Sequence, residues 1–116
     1  MDTAELSSIA VEEVTNSINK QAEKGGIRIT PETQRMTADI VSNVISARKS
    51  EIESTQQQKV LSRERIQAAA DELISVATSQ ARKESRDVLL PGDVVVAMMD
   101  ISARGWPWPL CIAKEG

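Results

Sequence analysis

The chain has no histidine, no phenylalanine and no tyrosine, and Cys111 is its one cysteine. Without histidine, the commonest general base and the commonest neutral metal ligand are both missing. A lone cysteine with no histidine offers neither a nucleophile pair nor a zinc site. It also excludes an intramolecular disulfide, which points to a reducing compartment. No glycine-rich phosphate loop opens a helix, and Gly25-Gly26 is accounted for as a helix stop. No apolar run approaches the roughly 18 residues that span a bilayer. The acidic start Met1-Asp2-Thr3-Ala4-Glu5 lacks the basic, then apolar character of a signal peptide. These absences argue against an enzyme, a metal, a cofactor, a small-molecule substrate or a membrane. They lead us to expect a cytoplasmic protein, or a nuclear one if the source is eukaryotic.

What remains is 116 residues, the size of one domain, with 41% hydrophobic and 27% charged residues. That is globular composition, with a core that aliphatic side chains must build. The net charge of −3 argues against a general nucleic-acid compactor. Residues 1–24 carry five acids and two bases, and so hold the whole imbalance.

Periodicity predicts four helices joined by short extended loops, an all-α fold that is either histone-fold-like or a small helical bundle. The first runs from about Thr3 to Lys24, with Leu6, Ala10, Val11, Val14, Ile18 and Ala22 on one arc. Extended Ile27-Arg28-Ile29 leads to Thr30-Pro31-Glu32, a cap, a first-turn proline and an acid at the positive end of the helix dipole. The second helix is expected to reach about Gln57. Met36, Ile40, Val44 and Ala47 form one stripe on it, and Val41, Ile45 and Ile52 an adjacent one.

Lys59-Val60-Leu61 and Ser62-Arg63-Glu64 repeat the extended piece and the cap before a third helix to about Ser85. Asp87-Val88-Leu89-Leu90 and Pro91-Gly92-Asp93 repeat them again before a fourth, to Ala103. The resulting periodicity of about thirty residues is too irregular for a solenoid. Val94–Val96 reads alternatively as a strand. As a helix this segment is apolar all round, which places it in the core or at a partner interface. Residues 1–104 form a single helical domain, followed by a tail, 105–116, in which Trp106-Pro107-Trp108-Pro109 excludes helix and sheet interior.

Arg86-Asp87-Val88-Leu89, followed by Asp93-Val94 and Ala97, resembles the end of a histone fold. The resemblance implies that Arg86 pairs with Asp93 and that loop residues form a short β-bridge. A second frame, Ile29-Thr30, a helix of about 27 residues and Lys59-Val60-Leu61, resembles that family's first loop, central helix and second loop. There Arg65 stands where the aspartate belongs; in the first frame the helix from Ser62 to Ser85 is about two turns short. Ala81-Arg82 through Val94–Met98 is also similar to one repeat of the N-terminal domains of Clp-type chaperone ATPases, which bind adaptors.

The leading functional expectation is a non-enzymatic helical protein–protein interaction module that self-associates, its partner a second copy or another protein. Its interface residues would be Val94, Val95, Met98, Met99, Ile101, Trp106 and Trp108. Met98 and Met99 read more simply as core filler, and Cys111 as a small semi-buried hydrophobe. The alternative is a histone-fold DNA-binding or transcription-assembly protein using Arg28, Lys59, Arg63 and Arg86 on phosphates. Bases at helix ends otherwise complement helix dipoles. The acid pairs Glu12-Glu13, Glu51-Glu53 and Asp71-Glu72 read as solvated surface. The two tryptophans either pack on the body or its dimer mate, the favoured expectation, or stand exposed as a docking peptide.

Overall fold

A computed structural model describes residues 2–54, 61–103 and 108–110, and 79% of these are helical. The helices are α1 (Thr3–Glu23), α2 (Pro31–Ala47), α3 (Lys49–Ser54), α4 (Arg63–Lys83) and α5 (Pro91–Ser102). Asp2, Thr30 and Ser62 cap α1, α2 and α4 by accepting from the backbone N–H three residues on. Gly25 and Gly26, both at positive φ, end α1 as expected. The expected long second helix is instead two: the chain leaves helical geometry at Arg48, whose φ is −111°, and resumes at Lys49. Val94–Val96 is helical, so the strand alternative falls.

A repeat of sixty positions organises the fold. α4 begins sixty residues after α1 and α5 sixty after α2. Equivalent positions are buried alike: Leu6 and Ile66, Ala10 and Ala70, Val14 and Ile74, Val41 and Ile101. Equivalent elements also meet, α1 against α4 and α2 against α5. Arg28 and Val88, themselves sixty apart, form an isolated parallel β-bridge. It is closed by Arg28 N–H to the Asp87 carbonyl at 2.7 Å and Leu89 N–H to the Arg28 carbonyl at 2.8 Å. Pairing of like with like is what an approximate two-fold between two helix–loop–helix units produces. The expected thirty-residue punctuation is thus half of a longer repeat.

The core is aliphatic, with Leu6, Ile45, Ile52, Ile66, Leu73 and Ile74 fully enclosed. Trp108 lies within it, its indole N–H donating to the Ala69 carbonyl at 3.1 Å. The small residues Ala69 and Ala70 let a ring approach the α4 backbone that closely. Where α1 meets α4 the contact is partly polar: Ser17 donates to Asp71, and Glu13, 6% exposed, accepts from Arg63. Glu13 therefore departs from the expected solvated surface, because the Arg63 guanidinium covers it.

Candidate docking face

The fourth predicted helix, α5, is not enclosed. Its consecutive apolar residues point about 100° apart around the axis, and neighbours cover only part of that circle. Val94, Ala97, Met98 and Ile101 face the interior, whereas Val95, Val96 and Met99 face solvent, Met99 at 68% exposure. Of the residues expected at an interface, Val94, Ile101 and Trp108 are wholly inside the chain's own core. Trp106 lies outside the described residues.

The two stripes of α2 separate in the same way. Val41 and Ile45 are fully buried, with Ile52 of α3 continuing the line. Met36 and Ala47 are exposed, and Ile40 and Val44 are half-buried. This second stripe runs beside the exposed side of α5. Ile40, Asn43, Val44, Val95, Met98 and Met99 line a cavity of about 270 Å³. A second of about the same volume adjoins it, bounded by Val44, Ala47, Arg48, Met98, Met99 and Ser102. Shared lining by Val44, Met98 and Met99 makes them one groove. α2 residues 40 to 48 pass α5 residues 95 to 102 in the same order, so the two helices run side by side in one direction.

The groove floor carries no charge, and residues 40–47 of α2 include none. At its far end Arg48 donates to both carboxylate oxygens of Glu51, at 2.7 Å each. That contact holds the Glu51 carboxyl below its ordinary range and the Arg48 guanidinium more firmly protonated. Ile40, Asn43 and Val44 were not among the expected interface residues. The available signal was that α2 carries two apolar stripes, more than a small bundle covers.

The basic residues considered for phosphate binding do not gather on one surface. Arg28 and Arg86 stand at the β-bridge, while Arg63 opens α4, a helix length of about 30 Å away along the axis. Each is engaged by acids: Arg28 by Asp87 at 3.1 Å, Arg63 by Glu13 at 2.9 Å and Glu12 at 3.3 Å. Arg86 holds Asp93 through two hydrogen bonds of 2.8 Å and donates a third to the Val88 carbonyl. Lys59 lies outside the described residues.

A separate cleft of about 250 Å³ between α4 and α5 is lined by Ser75, Ser79, Gln80, Lys83 and Asp100 beside Val76 and Val96. Among the described residues there is no cluster of acids or cysteine able to hold a metal ion, and no helix long and apolar enough to cross a membrane. No family model matches the chain, nor does any curated protein or solved structure.

Proposed function

We propose that the chain is a non-enzymatic, helical protein-interaction module whose working surface is the groove between α2 and α5. The observation that carries this reading is the apolar set Ile40, Val44, Val95 and Met99, half-buried on α2 and exposed on α5, which lines one groove between the two helices. Exposed apolar patches of this kind mark association sites. Methionine adds a polarizable, adaptable contact. The groove is shallow and lacks the convergent polar groups that orient small ligands, so side chains from another protein suit it better. A nucleic-acid reading has less support, since Arg28, Arg63 and Arg86 already face carboxylates.

Photo-crosslinking tests the reading. A benzophenone side chain placed at Met99 and irradiated in extract of the source cells should give discrete protein adducts, a second copy included. The same group at Asn16, on an exposed position of α1, should not. Equal labelling at both positions, or none at Met99, overturns it.

A further inference from the structure

We infer that two copies of this chain exchange halves, α1 of one packing on α4 of the other, with Arg48 as the hinge that releases them. The groove between α2 and α5 takes no part in this exchange. The fold divides into two helical hairpins, α1 with α2 and α4 with α5, joined by one covalent connection through α3. Specific contacts hold the hairpins together between α1 and α4 and between the loops that follow them. Ser17 donates to Asp71 at 2.5 Å, Arg63 donates to Glu13 at 2.9 Å, and Arg28 bridges to Val88. None of these contacts requires both hairpins to belong to one chain, so a second copy remakes them unchanged.

The hinge shows as a conflict between local sequence and tertiary structure at Arg48. Ser46-Ala47-Arg48-Lys49-Ser50 contains neither glycine nor proline, and Val41, Ile45 and Ile52 keep helical spacing across it. The Ile52 N–H donates to the Arg48 carbonyl at 2.9 Å, an ordinary helical bond. Arg48, at φ −111° and ψ 22°, is the one residue between α2 and α3. Local preference favours a single helix from Pro31 to Ser54, about 36 Å long. Tertiary contacts oppose it: Ile52 is enclosed in the core, and Thr3 donates to Glu53 at 2.5 Å, tying α3 to α1. When those two ties open, α3 straightens onto α2 and carries α4 off its own α1. Each hairpin then lacks the helix that covers it, and the matching hairpin of a second copy restores the cover.

Within one chain the connection holds α4 near α1 at an effective concentration in the millimolar range, so exchange is expected to set in at about 1 mM. Two copies satisfy each other completely and leave no hairpin free, which limits the product to a dimer.

Two single-cysteine chains test the exchange, Ser17→Cys and Asp71→Cys, each in a Cys111→Ser background. Mixed at about 1 mM, incubated and then oxidised, they should yield a heterodimer bonded through positions 17 and 71, whereas the same mixture at about 10 μM should not. Asn16→Cys, on the exposed side of α1, should not substitute for buried Ser17→Cys in forming this bond. Arg48→Gly disfavours the straight helix and should cut the yield roughly tenfold. Thr3→Val removes one tie of α3 and should raise it. Both variants should keep the parent's circular dichroism. Sedimentation of the unmodified chain over the same range should show monomer passing to dimer and nothing larger. Absence of the 17–71 heterodimer at the higher concentration overturns the exchange. So does a heterodimer equally abundant with Asn16→Cys, or one indifferent to both Arg48→Gly and Thr3→Val, because chance collision or another hinge then accounts for it. The groove reading stands or falls separately, on crosslinking at Met99.

Discussion

Trp108 reaches back thirty-nine positions to donate its indole N–H to the Ala69 carbonyl inside α4, and the ring is fully enclosed. Trp108→Ala should therefore cost about 3–5 kcal/mol of stability, the range for emptying a buried aromatic site. With Trp106 replaced by Phe, Trp108 becomes the sole emitter. Its fluorescence should be blue-shifted from free tryptophan and resist iodide. Red, quenchable emission would place the ring in water.

Arg86 and Asp93 fasten the start of α5 to the loop before it. Asp93, 3% exposed, also accepts from the Leu90 N–H at 2.8 Å, and its carboxyl is held below its ordinary range, first by the hydrogen bonds from Arg86. A carboxyl whose folded pKa is depressed stabilises fully above its unfolded value and loses that contribution as pH falls through the folded one. Asp93→Asn should destabilise by on the order of 1–3 kcal/mol at neutral pH, as for a lost charged hydrogen bond with a stranded partner. The gap between wild type and variant in urea melts should hold from pH 8 to 5 and narrow below the ordinary value of 3.8.

Ser85 has φ of +59°, in the left-handed region, and is the sixty-residue equivalent of Gly25 at +81°. A non-glycine residue pays roughly 1–2 kcal/mol there, and glycine gives back roughly 0.5–1 in unfolded-state entropy. Ser85→Gly is expected to raise stability by about 0.5 kcal/mol, whereas Gly25→Val should lower it. Chemical denaturation resolves both signs.

Thr78 is 2% exposed and its hydroxyl finds no partner, while its equivalent in the first unit is Ile18. Thr78→Val keeps the shape and removes an unsatisfied polar group, so stability should rise by about 1 kcal/mol. A loss would mean that the hydroxyl is bonded.

Helix starts were legible because their chemistry is local. Thr30-Pro31 and Ser62-Arg63 each announce themselves within three residues, and both caps form. The break at Arg48 was not, since no glycine or proline marks it there. The repeat was hidden for another reason. Over residues 3–47 and 63–107 the identical pairs are Ala10/Ala70, Glu12/Glu72, Pro31/Pro91 and Ser42/Ser102. What the two units share is which positions turn inward, and that is fixed by packing rather than by residue identity. For the same reason Val94 and Ile101 read like Val95 and Met99: composition says α5 is apolar, while the placement of α2 and α4 decides which side stays wet.

The pairing of α1 with α4 has a consequence for the chain as it is made. α1 packs against both α2 and α4, and α4 is encoded sixty positions downstream of it, so the side of a nascent α1 that α4 covers stays bare until α4 has emerged. At about 5–20 residues per second that interval is roughly 3–12 s, long compared with the microseconds a helix needs to form. The five acids of the first 24 residues sit on that same early segment. They give the waiting helix a net negative charge, and neighbouring chains on one messenger repel each other while it is bare.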